Sequence, residues 1–143
     1  MARGIPKEVM QSFQQIPLFS SVSKKGIRAI VTAASEADVR AGTVLVREGD
    51  HDRYLYVVTR GEGVVTKGGR RLNVLGVGDF FGELAFLVDA PRSATVTAAT
   101  DMRVMVFGPR EMAQVIEREP VMAHRMLAVM AARLRATERS HRH

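Results

Sequence analysis

The most constraining feature of the sequence is a series of short β-rich runs, separated by glycines, between about residues 37 and 107. Val44–Val46 is followed by Glu-Gly-Asp at 48–50, and Val-Val-Thr at 64–66 runs into Lys-Gly-Gly at 67–69. A glycine pair between two such runs is typical of a β-hairpin. Many short strands at this spacing predict a sandwich, barrel or jelly roll.

Helical patterns flank the β-rich region on both sides. Residues 6–35 predict helices interrupted at Pro17, with Ser23 as a candidate N-cap. Pro109 and Pro120 stand where C-terminal helices can begin, since a proline lacks an N–H that the first helical turn does not use. The sequence therefore predicts an α+β fold, an antiparallel β-roll flanked by helices, in one domain. The expected parts are an N-terminal helical segment over 1–36, the roll over 37–108 and two C-terminal helices over 109–143.

Composition limits the classes of protein to consider. The 143 residues are 46% hydrophobic and 25% charged, which is ordinary for one globular domain. The chain has no cysteine, so disulfides, thiolate metal sites and cysteine nucleophiles are excluded. No apolar run reaches the length of a membrane span, and the N-terminus lacks the apolar core of a signal peptide. We expect a cytoplasmic protein, or the cytosolic part of a membrane protein if the chain is a fragment.

Positive charge is concentrated at the C-terminal end of the chain. The formal net charge is +6, and residues 118–143 hold six arginines against Glu119 and Glu138. The favoured interpretation is a solvated helix face followed by a basic tail. The alternative is a basic helix that binds nucleic acid or an acidic protein partner.

The segment 78–96 carries the side chains that suggest chemistry. Gly82 permits a close approach of the backbone to a ligand, and a short helix after it would offer free N–H groups to an anion. Arg92 supplies a guanidinium fork suited to phosphate oxygens, and Ser93 adds a hydroxyl. Glu83 is out of place beside an anion unless it accepts hydrogen bonds from hydroxyls, as a ribose would provide. The segment therefore predicts a site for a sugar phosphate.

Two parts of this segment, Phe-Gly-Glu-Leu-Ala at 81–85 and Pro-Arg-Ser-Ala-Thr-Val at 91–96, closely resemble the phosphate-binding cassette of the cyclic nucleotide-binding domain family. That family includes the bacterial catabolite activator protein, protein kinase regulatory subunits and the cytosolic domains of gated ion channels. Weaker cues agree along the chain, among them Glu-Gly-Asp at 48–50 and the two helices expected after the roll. The cassette would span residues 80–96.

The resemblance implies a role for each cassette residue. Arg92 would bind the exocyclic oxygens of the cyclic phosphate, and Glu83 would bind the ribose 2′-hydroxyl. The other implied contacts come from the backbone of Gly82, Leu84 and Ala85 and from Ser93. Phe86 departs from the family, which more often has leucine there, and we expect only local repacking.

The resemblance also implies a regulatory function without catalysis. The ligand would be cAMP or cGMP, with cAMP slightly favoured, and the last helix would close over the base. The candidates for this base cap are Met130, Arg133, Leu134 and Arg135. The expected partner is another protein, or an effector domain joined to this one in a longer parent; nucleic acid is the less favoured partner.

Other interpretations of the same residues remain. Arg92 could instead form a structural ion pair with Glu83 or Asp89, and the roll could serve only for assembly. His51, His124, His141 and His143 do not have metal-ligand spacing, and no Ser-His-Asp grouping or Walker-type loop is present. We therefore expect no metal, no cofactor and no catalytic residue.

Overall fold

The computed structural model describes Gln11, residues 14–82 and residues 90–141, with the side chains of 17, 133 and 136–141 left outside that description. The chain divides into two compact units. One, the helical unit, comprises the residues up to Ala29 together with those from Gln114 onward. The other, the roll unit, is Ile30–Ala113.

The described helical elements are a 3₁₀ turn, Pro17–Phe19, and three α-helices: α1, Lys24–Ala33; α2, Pro109–Arg118; and α3, Pro120–His141. Ser23 is the N-cap of α1, as predicted, because its Oγ accepts the N–H of Gly26 at 3.0 Å. Both C-terminal helices begin at the predicted prolines.

Eight strands lie within the described residues of the roll unit. Their bounds are β1, Ser35–Val39; β2, Val44–Val46; β3, Leu55–Arg60; β4, Gly63–Lys67; β5, Arg70–Leu75; β6, Phe80–Phe81; β7, Thr95–Ala98; and β8, Met102–Phe107. They make two four-stranded antiparallel sheets, one ordered β1-β8-β3-β6 and the other β2-β7-β4-β5. The predicted α+β fold with an antiparallel roll is confirmed.

Two strands of the roll depart from what the sequence pattern led us to expect. Its first strand begins at Ser35 rather than 37, because residues 35–39 pair with β8 from Ser35↔Val106 onward. The pairing of a strand is decided by its partner, so the end of a helical pattern locates such a boundary only to within a few residues. The short strand β6 was not predicted, since two phenylalanines alone carry no period-2 pattern.

Apolar side chains from both sheets fill the interior of the roll. The buried members of this core are Val46, Val58, Leu75, Phe81, Val96, Ala98, Met102 and Val104. Tyr56 packs against the same core and stacks on Phe81 with ring centroids 4.8 Å apart. The stacked pair therefore adds an aromatic contact to a largely aliphatic core.

A repeat at spacings of four predicts one methionine-rich face on the last helix, formed by Met122, Met126, Met130 and Leu134, and the burial of this face changes along α3. Met122 and Met126 are buried at 1% and 3% exposure, whereas Leu134, on the same predicted face, is 62% exposed. Buried methionines therefore anchor the first turns of α3, whereas Leu134 in a later turn leaves apolar surface exposed. Among the described residues, no helix combines the length and apolarity that crossing a bilayer requires.

Candidate functional site

Arg92 lies in the loop between β6 and β7 and is only 6% exposed. It is the one buried charged or polar residue within the described parts of the chain. Burying a guanidinium is costly unless the charge is paired and its N–H groups are bonded. The surroundings of Arg92 must therefore supply both a counter-charge and acceptors.

Asp52 supplies the counter-charge. Arg92 Nε donates to Asp52 Oδ2 at 3.1 Å, and Arg92 Nη2 donates to Asp52 Oδ1, so the carboxylate holds one edge of the guanidinium through two bonds. Nη2 also donates to the backbone oxygen of Tyr54 at 2.7 Å. This is the two-bond geometry in which arginine and a carboxylate match best.

The Asp52 carboxylate is itself held in place by the backbone. The N–H of Tyr54 donates to Asp52 Oδ1 at 3.2 Å, the local turn in which an aspartate side chain bonds the backbone two residues further on. Tyr54 therefore contributes its N–H to the carboxylate and its carbonyl to the guanidinium. Asp52 and Tyr54 together orient the arginine just before β3 begins.

The backbone of Arg92 is fixed by the turn at 48–50. Arg92 N–H donates to the Asp50 oxygen at 2.8 Å, and Gly49 N–H donates to the Arg92 oxygen at 2.9 Å. The N–H of Glu48 in turn donates to Thr95 Oγ1 at 2.9 Å. The main chain at Arg92 is thus paired on both sides, although it lies outside a strand.

Aromatic rings lie beneath the ion pair. The guanidinium carbon of Arg92 is 5.8 Å from the ring centroid of Tyr56, within the range of a cation–π contact. Burial raises the pKa of the Tyr56 hydroxyl, and the nearby negative charge of Asp52 raises it further. The Tyr56 ring therefore adds a cation–π contact to the ion pair of Arg92 and Asp52.

The backbone at Gly82 lies directly against the side chain of Arg92. The pairing Tyr56↔Phe81 between β3 and β6 carries the chain past the start of β3, so that Gly82 meets Tyr54. Gly82 has a φ of 92°, and a Cβ placed there would overlap both Arg92 Nη1 and the Tyr54 oxygen. Only glycine combines that conformation with so close an approach.

The Nη1 atom of Arg92 is therefore directed at Gly82. It makes no hydrogen bond to any residue in 14–82 or 90–141. A guanidinium with one edge fixed by Asp52 and the opposite nitrogen facing Gly82 can donate to an anion that lies beside this glycine.

The structure thus joins two of the predicted site residues, Gly82 and Arg92. Ser93 lies next to Arg92 and is exposed. Glu83, Leu84 and Ala85 lie outside the described residues, as does Phe86. Their roles remain predictions.

The predicted base cap belongs to the helical unit. Met130 is half-buried, and Leu134 and Arg135 are exposed. The side chain of Arg133 lies outside the described residues. A contact of these residues with a nucleotide remains a prediction.

Asp52, Tyr54 and Tyr56 were missed by the sequence analysis. The partners considered there for Arg92, Glu83 and Asp89, belong to its own loop, whereas Asp52 lies forty positions earlier along the chain. The available signal was weak: an aspartate two residues after the turn at 48–50, followed by an aromatic strand. Within the described part of the chain, no group of three metal-ligating side chains occurs.

The described structure combines an antiparallel β-roll with a buried arginine whose Nη1 faces Gly82. Residues 36–119 match the family model of the cyclic nucleotide-binding domain, which covers more than half of the chain. The chain belongs to the cyclic nucleotide-binding domain family.

Individual relatives agree with this assignment. The chain is 36% identical over 95 residues, 66% of its length, to a cAMP-dependent protein kinase regulatory subunit of Hypocrea atroviridis. It is similar to the Thermus thermophilus catabolite activator protein with a TM-score of 0.81 and 28% identity, over 87% of this chain and 61% of that one. It is also similar to the regulatory domain of Toxoplasma gondii PKA crystallised with cAMP, with a TM-score of 0.68 and 33% identity, over 78% of this chain and 46% of that one.

The chain spans only a part of the curated relatives it matches. It covers 21% of the Hypocrea regulatory subunit. The family is one of ligand-binding regulatory domains rather than catalytic ones. The shared part is therefore a sensor module, which in those relatives lies within a longer polypeptide.

Proposed function

We propose that this chain binds a cyclic nucleotide at the segment that begins with Gly82, with Arg92 donating to the cyclic phosphate. The observation that carries the proposal is the buried guanidinium of Arg92, which is held by Asp52 so that Nη1 faces Gly82. A buried cation that keeps one donor directed at a loop suits a small anion better than it suits solvent.

The remaining cassette residues complete the proposed site. Glu83 would accept a hydrogen bond from the ribose 2′-hydroxyl, and Leu84 and Ala85 would line the sugar phosphate through their backbone. Ser93 is exposed beside Arg92, where its hydroxyl can reach a phosphate or a base. The phosphate and the ribose would then be bound by different side chains, Arg92 and Glu83, of one short stretch of the chain.

We favour cAMP over cGMP as the ligand. The Hypocrea relative is a subunit of a cAMP-dependent kinase, and the Toxoplasma regulatory domain was crystallised with cAMP. Ser93 does not distinguish the two bases.

Calorimetric titration with cAMP and cGMP tests the proposal. We expect the wild-type protein to bind at least one of them at about micromolar strength, near −8 kcal/mol. Arg92→Ala is expected to lose most of that affinity, because a charge-assisted phosphate contact is removed. Arg103→Ala is the matched control, since Arg103 is also paired with a carboxylate, Asp38, but is exposed.

Nucleotide carried through purification must first be removed by unfolding and refolding. Failure of both nucleotides to bind the stripped wild-type protein would overturn the proposed function. The basic last helix would then be the surface to test for an acidic partner. Equal losses in Arg92→Ala and Arg103→Ala would instead show that Arg92 only stabilises the fold.

We further propose that α2 and α3 transmit the signal, with the base cap drawn from Met130, Arg133, Leu134 and Arg135. Exposed Leu127 and Leu134, at 60% and 62%, support this proposal because the later turns of α3 keep apolar surface for a ligand or an effector. The effector would be another protein, or a further domain of a longer parent, in the cytoplasm. The module itself would have no catalytic step.

A further inference from the structure

We propose that Asp52 sets the charge selectivity of this site, so that it accepts a singly charged phosphodiester and rejects a doubly charged phosphomonoester. This inference rests on the proposed function, since it concerns which phosphate Arg92 accepts. It assigns to Asp52 a task beyond holding the arginine in place.

The geometry limits what Arg92 can offer a ligand. Asp52 occupies the Nε–Nη2 edge through two bonds, and the Tyr54 oxygen takes a further N–H of Nη2. Nη1 is the nitrogen that no residue of 14–82 or 90–141 engages, and it faces Gly82. The site therefore presents part of a guanidinium rather than a free fork.

The same pairing limits the charge of the site. The arginine side chain is 4% exposed and the aspartate side chain 28% exposed, so water screens the pair only in part. A carboxylate in contact with a guanidinium cancels most of its field at the distance of a ligand. The site then has donors but little net positive charge.

The two kinds of phosphate respond differently to such a site. A cyclic phosphodiester carries one negative charge, whereas a nucleoside monophosphate carries about −1.5 to −2 at neutral pH. The second charge increases the cost of desolvation and is repelled by Asp52. Because the pair of Arg92 and Asp52 has no net charge, it does not attract the second negative charge and cannot offset these costs. The open monophosphate, which is the hydrolysis product of the cyclic ligand, is therefore rejected.

The experiment measures displacement of a fluorescent cyclic nucleotide by three competitors: cAMP, 5′-AMP and the methyl ester of 5′-AMP. The methyl ester is acyclic like AMP but carries a single charge like cAMP. The proteins are the wild type, Asp52→Asn and the control Asp50→Asn. Asp50 lies in the adjacent turn and contacts Arg92 through its backbone oxygen, so the control removes a nearby charge without touching the guanidinium.

We expect the wild type to bind the methyl ester about tenfold more tightly than AMP, the size expected for one partly screened charge. This comparison stands even if Asp52→Asn does not fold. In Asp52→Asn we expect the affinity ratio of methyl ester to AMP to fall about tenfold. Asp50→Asn should retain the wild-type ratio. Ratios are used because a displaced Arg92 would weaken all three ligands together.

Equal wild-type affinities for AMP and its methyl ester would overturn the inference, since the discrimination would then depend on the ring and not on charge. An unchanged ratio in a folded Asp52→Asn protein, or the same change in Asp50→Asn, would also overturn it. Absence of any cyclic nucleotide binding to the wild type would instead be the failure of the proposed function, so the two failures are distinguishable.

Discussion

At the scale of single residues, the pair of Arg92 and Asp52 links stability to binding. Burying either charge without its partner is costly. Removing one partner should therefore lower the free energy of unfolding, because the other charge is left buried and unpaired. Arg92 is the more deeply buried, with a side-chain exposure of 4% against 28% for Asp52. Loss of the aspartate should therefore be the more costly of the two single changes.

A double-mutant cycle with Arg92→Ala and Asp52→Ala measures this coupling. We expect a coupling energy of about 1–2 kcal/mol, reduced from the value for a fully buried pair because Asp52 is partly hydrated. The measurement is the free energy of unfolding in urea for the wild type, both single variants and the double variant. Strict additivity of the two single effects would contradict a direct interaction.

Tyr56 gives the roll a dependence on alkaline pH. Burial, with the charge of Asp52, holds the pKa of its hydroxyl above the ordinary value of 10.0. A raised folded pKa means that the folded state keeps its proton longer than the unfolded chain does. Its contribution to stability is then fully present below the unfolded pKa and is lost as pH rises through the folded one.

We therefore expect the free energy of unfolding of the wild type to fall above about pH 10, with a smaller fall in Tyr56→Phe. Denaturant unfolding monitored by circular dichroism at several pH values measures the slope. Tyr54→Phe removes the other of the two tyrosine hydroxyls and separates this effect from general alkaline titration. Identical slopes in the wild type and Tyr56→Phe would argue against the raised pKa.

At the scale of elements, the turn between β3 and β4 depends on Gly61. It has a φ of 81°, and a Cβ there would overlap the backbone oxygen of Asp101. Gly69, in the turn between β4 and β5, has a similar φ of 78° but nothing within 4 Å of a Cβ. The two turns share a backbone conformation and differ in the space around it.

Substituting alanine at each position separates conformation from contact. Gly69→Ala should cost about 1–2 kcal/mol, the strain of a positive φ alone. Gly61→Ala should cost at least about 1 kcal/mol more, because a backbone oxygen cannot move aside as a side chain can. Urea unfolding of both variants measures the difference. A Gly69→Ala cost equal to or larger than that of Gly61→Ala would refute this account.

The edge strand β5 shows how the roll limits association through its open edge. Residues Arg70 to Val74 are all exposed, and the pairing with β4 shifts between Val65 and Thr66. A bulge and two arginines on an edge disfavour the addition of another strand. The exposed Leu72 on this strand is thereby tolerated.

At the scale of the whole molecule, the helical unit holds the start of α3 by polar contacts and apolar burial. Gly26, in the first turn of α1, leaves room for the Glu119 carboxylate, which a Cβ there would displace. Arg125 Nη2 donates to Ser21 Oγ, and Met122 and Met126 are buried. The later turns, with Leu127 and Leu134 exposed, carry less of this support.

We expect cyclic nucleotide to increase hydrogen-exchange protection in the later turns of α3, because a ligand changes a helix only by binding one of its states more tightly. The measurement compares amide exchange of the wild type with and without saturating nucleotide. Arg92→Ala under the same conditions should show no change. Equal protection of α3 with and without bound nucleotide would rule out the proposed signal.

The sequence by itself determined most of the elements and singled out Gly82 and Arg92 for the candidate site. Strand and helix periodicities predicted the roll and its flanking helices, because each period is set by the backbone geometry of its own segment. Gly82 and Arg92 were predicted because the features that mark them lie within one loop. The dependence of Gly82 on a positive φ is likewise a local property.

Tertiary structure alone decided what surrounds Arg92. Its counter-charge, Asp52, comes from forty positions earlier, and Tyr54 meets Gly82 through the register of β3 and β6. Tertiary packing also divided the predicted methionine face of α3 into buried Met122 and exposed Leu134. No sequence period reports which distant segment will supply a partner, because a buried charge accepts any carboxylate that the packed fold brings within reach.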